Sequence, residues 1–275
     1  MNNFNGTDTY VLDEELAQIV NMSMALEMPL LLKGEPGTGK TQLAHAISSS
    51  LGMELIILNV KSSMKLVDAL YHYDTLTRLN DSRFGDSSRD VSHIEDYIKM
   101  GKIGQAFTSD KKVVLLIDEI DKADTDFQDD MLDVLDQMEF DIAEIDKTVK
   151  AVNRPVIIIT SNSKKDLSDP FLGRCNFHHI AFPGRELMHE IVGVHFPELD
   201  KKLAEQAVEA FYRLRELEDI EKRPATRELI NWIRALRMDS KFNASELIDR
   251  RVPYLGILFK RSEDLKKAQE ASGRS

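Results

Sequence analysis

Nearly continuous apolar runs alternate with amphipathic segments over the first two thirds of the chain. The runs predict strands at residues 30–33, 54–60, 112–118 and 155–161, and a shorter one at residues 179–182. Runs without apolar–polar alternation are typical of strands covered on both faces. Between the first two strands, apolar residues at four-residue spacing predict a helix: Leu43, Ile47 and Leu51. This alternation predicts an α/β fold, a parallel sheet flanked by helices.

The pattern changes near residue 184. Apolar residues then recur every three or four positions, at Leu203, Ala207, Phe211 and Leu214 and again at Leu229, Ile233 and Leu236. No further β-branched run follows, so the sequence predicts an α/β core over residues 1–183 and a helical domain over residues 184–275. From residue 262 the chain is mostly polar and charged, which predicts a tail that frays.

Two segments of the predicted core are not explained by a simple sheet. About fifty residues, 61–110, separate the second and third strands, which is longer than a crossover needs. They form either an insert that packs on its own domain or one that contacts a partner. Residues 139–153 alternate apolar and polar positions around Asp146 and Lys147, which predicts a β-hairpin, with a helix tail running into a loop as the alternative.

Composition narrows the classes of partner. The chain has 275 residues, of which 42% are hydrophobic and 30% charged, as in ordinary globular proteins. Its net charge of -11 disfavours a broadly basic nucleic-acid surface. No apolar run reaches the length of a membrane span, and the first residues show neither a basic start nor an apolar segment, so the expected location is cytoplasmic. A single cysteine, Cys175, cannot form an internal disulfide.

The first candidate site follows the first predicted strand. Residues 34–41 read GEPGTGKT, which fits the phosphate-loop pattern G-x-x-x-x-G-K-[ST]. Glycines let the backbone wrap around an anion, and the following helix adds its positive end. Lys40 is then placed to reach the β- and γ-phosphates, and the Thr41 hydroxyl to bind Mg²⁺. A glycine-rich turn with an incidental lysine is the alternative, but the flanking strand and helix favour a phosphate loop.

The second candidate site is the sequence KKVVLLIDEIDKAD at residues 111–124. Its apolar run delivers Asp118 and Glu119 to the carboxyl edge of the sheet, where open α/β sheets bind ligands. Asp118 is predicted to hold Mg²⁺, and Glu119 to polarise a water for attack on the γ-phosphate. Strand ends are often acidic because they meet solvent, yet the upstream phosphate loop favours the catalytic interpretation.

This acidic pair separates three classes of phosphate-binding protein. A kinase has no inherent use for a glutamate that activates water, whereas an ATPase does. A GTPase needs a base-reading motif and an Asp-x-x-Gly. Residues 163–166, Ser-Lys-Lys-Asp, come close to the first, but residues 118–121 lack the glycine of the second. The sequence therefore favours ATP hydrolysis.

Two further polar residues follow the later strands. Asn162 ends the strand RPVIIITSN and, if that strand neighbours the Asp118 strand, its amide could bridge the attacking water and the γ-phosphate. Arg174 follows the apolar turn in LSDPFLGRCNF, and from a subunit edge its guanidinium could neutralise charge on a neighbour's γ-phosphate. The alternatives are a turn-forming Asn162 and a local ion pair of Arg174 near Asp166, Asp169 and Arg185.

In this order the motifs resemble those of the AAA+ ATPases. More narrowly, the chain is similar to the MoxR branch, and especially to CoxD-like members that accompany carbon monoxide dehydrogenase and related molybdenum enzymes. The similar segments are YVLDEELAQIVNMSMALEMPLLLKGEPGTGKT, LYHYDTLTRLNDSRFGD, DYIKMGKI, LLIDEIDKAD, MEFDI and RCNFHHIAFP followed by VHFP. They fall within residues 10–237.

The resemblance implies a P-loop NTPase core of AAA+ type followed by a small all-helical lid domain. It implies ATP and Mg²⁺ as cofactors, with Thr41 and Asp118 at the metal. It makes Asn162 the sensor 1 residue, Arg174 the arginine finger and Arg227 the sensor 2 residue. The implied nucleotide-binding residues are Gly34, Glu35, Pro36, Gly37, Thr38, Gly39, Lys40, Thr41, Gln42, Asp118 and Arg227, and the implied catalytic residues are Lys40, Glu119, Asn162 and Arg174.

The chain departs from CoxD-like proteins at two positions. Those proteins commonly carry two arginines before the cysteine, whereas here Gly173 replaces the first and leaves Arg174 as the candidate. Their lid motif often has serine where Arg227 stands, so the sensor role of Arg227 comes from the wider family, and an exposed arginine on a helix face is the alternative.

The resemblance also implies partners. These are other copies of the chain in a hexameric ring, a protein with a von Willebrand factor A domain, and a client metalloenzyme whose maturation or cofactor insertion the ring assists. Three alternatives remain open: a DNA-associated AAA+ helicase or loader, a nucleotide-gated binding scaffold with incidental hydrolysis, and a small-molecule phosphotransferase.

Overall fold

The structure is a computed structural model that describes residues 3–84, 90–162, 167–239, 242, 247 and 252–273. Five parallel strands form its central sheet. They are β1 (Leu30–Gly34), β2 (Leu55–Asn59), β5 (Val114–Asp118), β8 (Val156–Ser161) and β9 (Asn176–Ile180), in the spatial order β2-β5-β8-β1-β9. Their registers pair Leu30 with both Ile158 and Asn176, and Asn59 with Asp118. The carboxyl ends of β1, β5 and β8 therefore lie at one edge of the sheet, as the sequence predicts for its polar motifs.

The sheet interior explains why the strands read as continuous apolar runs. The side chains of Leu30, Leu31, Leu32 and of residues 114–117 are fully buried. Burial of a leucine or isoleucine stabilises the fold by about 1.5–3 kcal/mol, so these strands dominate the core. Helix α2 (Lys40–Leu51) packs on β1, β2, β5 and β8, and its buried residues include Leu43 and Ile47 from the predicted helical stripe.

Other helices complete the α/β part of the chain. Helix α1 (Glu14–Leu26) contacts β9, and α6 (Thr125–Gln137) follows a short 3₁₀ turn at Ile120–Lys122. The Asp124 carboxylate caps α6 by accepting the Phe127 N–H at 2.9 Å, which satisfies one of the unpaired donors of the first turn. Helix α7 (Asp169–Gly173) is capped in the same way by Ser168.

The long segment between β2 and β5 has secondary structure of its own. It contains the helices α3 (Leu66–Leu70), α4 (Thr75–Phe84) and α5 (Lys102–Phe107), a 3₁₀ turn at Ile94–Tyr97, and the antiparallel strands β3 (Tyr71–Tyr73) and β4 (Ile98–Met100). Tyr71, Ile103 and Phe107 are buried in the same core as the sheet. Much of this segment therefore packs on its own domain, whereas α4 has no buried residue.

An antiparallel hairpin precedes β8. Its strands are β6 (Glu139–Ile142) and β7 (Lys147–Lys150), which pair Phe140 with Val149. A short 3₁₀ turn at Ala143–Ile145 connects them, and Asp146 closes the turn with a left-handed backbone, φ 48°. This is the hairpin predicted from the alternation of apolar and polar residues rather than the helical alternative.

The helical part of the chain contains α8 (Arg185–His195), α9 (Lys201–Arg215), α10 (Thr226–Met238), α11 (Leu255–Leu258) and α12 (Ser262–Ala271). Its core includes Phe211, Leu229 and Trp232, all fully buried. The Trp232 indole N–H donates to the Pro253 carbonyl at 2.9 Å, which satisfies the polar atom of a buried ring.

The described residues divide into two compact units. The first is Met1–Gly6, Leu12–Gly34 and Lys40–Ile180, and the second is Thr7–Val11, Glu35–Gly39 and Ala181–Ser275. The tip of the phosphate loop thus groups with the helical residues. The division into domains at residue 184 stays a prediction.

Two sequence predictions were wrong in detail. The last strand is Asn176–Ile180 rather than residues 179–182. Residues 262–271 form helix α12 rather than a frayed tail. The buried Asp264 carboxylate in that helix accepts the Glu221 and Lys222 N–H groups at 3.0 and 3.1 Å, and these bonds hold the polar segment in place.

Candidate active site

Asp118 ends β5, and its carboxylate accepts hydrogen bonds from two hydroxyl groups. The Thr41 hydroxyl at the start of α2 donates to Asp118 Oδ1 at 3.0 Å. The Thr160 hydroxyl on the neighbouring strand β8 donates to the same oxygen at 2.6 Å. The sequence placed Thr41 and Asp118 together, and they are in direct contact here.

Glu119 follows Asp118 in an unusual backbone conformation. Its φ of 61° lies in the left-handed region, which is uncommon for a residue with a side chain. The Glu119 N–H donates to the Thr160 hydroxyl oxygen at 2.9 Å, which helps to fix this conformation. Such outliers persist only where the surrounding contacts determine them, and they are frequent at active sites.

The Glu119 carboxylate is held from both sides. The Asn162 side-chain amide donates to Oε1 at 3.0 Å, and the Lys122 ammonium forms an ion pair with Oε2. The hydrogen bond to Glu119 raises the pKa of Lys122 above its ordinary value. Both contacts orient the carboxylate, and a general base has to be oriented toward the proton that it accepts.

Asn162 is positioned by its backbone as well as by its amide. Its N–H donates to Asp121 Oδ1 at 3.0 Å, and Asp121 is 2% exposed. The strand order β5-β8 makes this arrangement possible, since it places the end of β8 beside the residues that follow β5. Asn162 therefore lies beside Glu119, as predicted for a residue that shares the attacking water.

Lys40 begins α2 and is 6% exposed. Its ammonium donates to the Gly34 carbonyl at 2.9 Å, so the side chain folds back along the loop from which the motif starts. A lysine ammonium and the N-terminal end of a 12-residue helix both provide positive charge for a phosphate.

The loop tip, residues 35–39, has the backbone expected of a phosphate loop. Gly37 and Gly39 have φ values of 83° and 93°, which glycine adopts without the steric penalty of a side chain. The Thr38 hydroxyl donates to the Glu35 carbonyl at 2.9 Å across the turn. Glu35, Pro36 and Gln42, also predicted at the nucleotide, are exposed.

Arg174 directly follows α7 and forms ion pairs with acids on α6. Its guanidinium lies 3.0 Å from Asp133 Oδ1 and 3.1 Å from Asp136 Oδ2, and its side chain is 41% exposed. These are not the neighbours expected from the sequence, Asp169 and Arg185; Asp166, the third, lies outside the described residues, as does the GTPase-like segment 163–166. The finger role of Arg174 stays a prediction.

Arg227 is the second residue of α10 and is exposed. This placement agrees with a solvent-facing arginine on a helix and leaves its sensor role as a prediction. The adjacent Thr226 starts the helix after Ala225, whose N–H donates to the Glu228 carboxylate at 3.1 Å.

The donor set around Asp118 suits Mg²⁺ bound together with phosphates. Within the described ranges no group of three or more His, Cys, Asp or Glu residues could hold a metal by itself. Mg²⁺ at phosphoryl-transfer sites, however, is bound through one or two protein oxygens plus phosphate oxygens and water. The Thr41 hydroxyl and the Asp118 carboxylate, which already touch, fit that requirement.

Three residues at this site were missed by sequence reasoning: Thr160, Lys122 and Asp121. Thr160 is one of two hydroxyl residues, with Ser161, that end the otherwise apolar strand β8, and it is 1% exposed. A buried hydroxyl requires a hydrogen-bond partner, so the pattern IIITSN carried a usable signal. The spacing of Lys122 from Glu119 is that of neighbours on a helical turn, and the charge alternation in DEIDK was the corresponding signal.

The cluster Thr41, Asp118, Glu119, Asn162 and Thr160 thus combines hard oxygen donors with an ionised carboxylate and an amide. It could hold a cation at Asp118 and orient a water between Glu119 and Asn162.

None of the helices in the described part of the chain combines the length and apolar character of a bilayer span.

Comparison with known proteins gives a family match over this region. The model of the ATPase family associated with various cellular activities (AAA) matches residues 30–183. Lon protease 1 of Bacillus subtilis (strain 168) is 28% identical over 175 residues, which are 61% of this chain and 20% of that protein. The peroxisomal ATPase pex6 of Schizosaccharomyces pombe (strain 972 / ATCC 24843) is 25% identical over 219 residues, 78% of this chain and 19% of that protein.

Solved structures agree with the fold. The Holliday junction branch migration motor RuvB of Thermotoga maritima has a TM-score of 0.52 at 16% identity, and covers 94% of this chain and 69% of its own. A mutant of the same protein has a TM-score of 0.55 at 17% identity, with 96% and 71% covered. The likeness shows a P-loop NTPase fold. The chain spans only a fifth or less of the length of the curated relatives it matches.

Proposed function

The chain belongs to the AAA family of ATPases, and from this premise we propose that it hydrolyses ATP in an oligomeric ring that remodels a client protein. The observation that carries this proposal is the contact between Asn162 and Glu119 beside the Thr41–Asp118 pair. A binding module without hydrolysis would need the phosphate loop, but it would have no use for an amide aligned on an ionised glutamate.

The chemistry follows from what each side chain can do. Residues 34–41 bind the polyphosphate through backbone N–H groups, and Lys40 adds charge at the β- and γ-phosphates. Mg²⁺, when bound by Thr41 and Asp118, neutralises charge that develops on the phosphates. Glu119 accepts a proton from the attacking water while Asn162 orients it, and the product is ADP and phosphate.

The narrower role rests on the resemblance to MoxR proteins. Under this proposal Arg174 of one protomer completes the site of the next in a hexamer, so hydrolysis depends on assembly. A von Willebrand factor A domain protein then connects the ring to a client metalloenzyme, whose maturation or cofactor insertion consumes the ATP. Support comes from the long similar segments in residues 10–237 and from the position of Arg174 at the end of α7.

Hydrolysis is tested directly with purified protein. Wild-type protein should release phosphate from MgATP, and Glu119→Gln should bind MgATP with similar affinity while turnover falls by about 100-fold or more. Glu54→Gln, before β2 at the opposite edge of the sheet, is the matched control and should keep full turnover. Full turnover by Glu119→Gln would contradict the proposed role of Glu119, and a phosphorylated acceptor in place of free phosphate would indicate a phosphotransferase.

Assembly is tested by mixing two inactive variants. Arg174→Ala protomers retain an intact loop, and Lys40→Ala protomers retain the arginine. Mixed oligomers should regain turnover, because some interfaces then join an intact loop to an intact Arg174. Lack of recovery in verified mixed oligomers, or full activity of a dilute monomer, would exclude the shared site.

The same preparations separate the proposed remodelling role from DNA handling. The ATP-bound Glu119→Gln variant should retain a protein with a von Willebrand factor A domain from its native cell extract. DNA-stimulated ATPase activity and salt-sensitive DNA binding would favour a helicase or loader instead. The net charge of -11 favours the protein partner.

A further inference from the structure

The phosphate loop carries a negative charge of its own. Glu35 is the second residue of GEPGTGKT and is exposed. A carboxylate in a loop that binds an anionic polyphosphate opposes binding through Coulomb repulsion. The loop therefore needs either a large distance between the two charges or a cation that compensates the carboxylate.

A buried arginine supplies that cation. Arg215, the last residue of α9, is 7% exposed, and its guanidinium forms an ion pair with Glu35 Oε2. The same guanidinium donates to the Pro224 carbonyl at 2.7 Å and lies 3.5 Å from the centre of the Phe182 ring. Three partners in different directions fix the position of the charge, which a flexible surface arginine could not do.

A second contact anchors the same loop to the same helical residues. A Cβ atom on Gly37 would lie 2.6 Å from Ala225 Cβ, closer than carbon atoms can approach. Ala225 directly follows Pro224, whose carbonyl accepts from Arg215. Gly37 thus lies against Ala225, and Arg215 joins Glu35 to the adjacent Pro224.

We propose that Arg215 is a positioning residue for nucleotide binding: its fixed guanidinium cancels the charge of Glu35 in the phosphate loop. The proposal rests on the proposed ATPase function and assigns part of the affinity for MgATP to a residue outside the phosphate loop. It also explains why the loop tolerates an acidic residue, since the Arg215 guanidinium, held by Pro224 and Phe182, cancels the charge of the carboxylate.

The proposal predicts how substitutions of Arg215 and Glu35 combine in their effects on MgATP affinity. Arg215→Gln removes the guanidinium that pairs with Glu35, and MgATP affinity should fall about tenfold. Glu35→Gln removes the repulsive charge and leaves Arg215 in place, so its affinity should equal or exceed that of wild type. The double variant should lie within about threefold of wild type, because neither charge remains.

Isothermal titration with MgATP and MgADP measures these affinities. The loss in Arg215→Gln should be larger for MgATP than for MgADP, because the former carries more negative charge. A merely structural role of Arg215 would weaken both nucleotides equally, and the loss would persist in the Glu35→Gln background. Thermal unfolding of each variant identifies those that fail to fold, and Glu35→Gln, altered at an exposed position, keeps the proposal testable in that case.

Arg185→Gln is the matched control. Arg185 also contacts two glutamates, Glu209 and Glu216, and lies 4.6 Å from an aromatic ring, that of Tyr212, but none of these partners belongs to the loop. Its affinity for MgATP should not change. A tenfold loss in Glu35→Gln, or an additive double variant, would overturn the proposal. Wild-type protein that binds no nucleotide would instead overturn the proposed function.

Discussion

At the scale of single residues, the position of Glu119 depends on contacts that lie outside its own motif. The Thr160 hydroxyl oxygen accepts a hydrogen bond from the Glu119 N–H. The Asn162 amide donates to one oxygen of the Glu119 carboxylate, and Lys122 forms an ion pair with the other. A general base has to be ionised, oriented and open to water at once. The contacts supply orientation, and the Glu119 side chain is still 35% exposed.

Replacing Asn162 tests whether this amide acts on catalysis. Asn162→Ala should lower kcat by about 10- to 100-fold and change KM little, because an oriented water matters mainly in the transition state. Steady-state phosphate release measures both constants. Asn162→Asp, which has the same shape but donates no amide hydrogen, should be as impaired as the alanine variant. A rise in KM with unchanged kcat would assign Asn162 to nucleotide binding instead.

Cys175 gives a prediction about pH. Burial, with a smaller contribution from the charge of Asp136, raises the pKa of its thiol from 9.0 to about 12. The native state therefore keeps the thiol neutral when the unfolded chain would ionise it. This contribution to stability is complete below pH 9 and is lost as pH rises from 9 towards 12.

Thiol labelling and unfolding measure this effect. At pH 8 the native protein should react with a disulfide reagent at least about 100-fold more slowly than the chain in urea. The midpoint of thermal unfolding should fall less between pH 9 and 11 in Cys175→Ala than in wild type. Rapid labelling of the folded protein would show that the thiol is neither buried nor neutral.

At the scale of elements, the sequence located those whose pattern is set by burial. Strands β1, β2, β5 and β8 lie within two residues of their predicted positions, and in β1 and β5 the apolar runs Leu30–Leu32 and residues 114–117 are fully buried. The edge strand β9 was misplaced because pairing with β1, rather than an apolar run, sets its register, and Phe177 within it is 49% exposed. Helix α12 was missed because its anchor, Asp264, is polar.

The site shows the same division. Thr41, Asp118, Glu119 and Asn162 were predictable, because each follows directly from a motif at the end of a buried strand. Arg215 was not predictable, since it is separated from Glu35 by 180 positions in the sequence and meets it only after folding. Its sequence environment, the end of an amphipathic helix, is ordinary for a solvated arginine.

The segment between β2 and β5 contains an element whose fit can be tested. Gly104 lies in α5, and a Cβ at this position would be 2.2 Å from the Leu70 carbonyl oxygen and 3.1 Å from the Met100 sulfur. Gly104→Ala should therefore destabilise the protein by about 1–3 kcal/mol, because the α3–α5 contact must open. Urea unfolding measures the change.

Gly193→Ala serves as the control for this substitution. Gly193 lies inside α8 with no atom within 4 Å of an added Cβ. Alanine there should stabilise the helix by up to about 1 kcal/mol. Equal effects of the two substitutions would show that the close approach at Gly104 is relieved without cost.

At the scale of the whole molecule, the net charge of -11 is accompanied by a concentration of acidic residues on one helix. Helix α6 carries five aspartates, Asp126, Asp129, Asp130, Asp133 and Asp136. Two of them bind Arg174, the residue predicted to act on a neighbouring protomer. Arg174 thus forms ion pairs within its own chain. The strength of these ion pairs decides whether the arginine is available to a neighbouring protomer.

The ion pairs of Arg174 with Asp133 and Asp136 are weak enough to leave the arginine available to a neighbouring protomer. All three side chains are between 41% and 62% exposed, and exposed ion pairs stabilise by about 0–1 kcal/mol each. Removing the acids with Asp133→Asn and Asp136→Asn together should change ATP turnover by less than about fivefold. Arg174→Ala should lower turnover by about 1,000-fold if the guanidinium neutralises a neighbour's phosphate.

The ratio of these two effects separates a role in assembly from a role within one chain. If Arg174 only joins α7 to α6, its removal and the removal of both acids break the same contacts, so the two variants should lose turnover and stability equally. If it serves a neighbour, the arginine variant alone should lose turnover while both unfold at similar urea concentrations. Phosphate release at a protein concentration that maintains the oligomer, measured beside urea unfolding, distinguishes these cases.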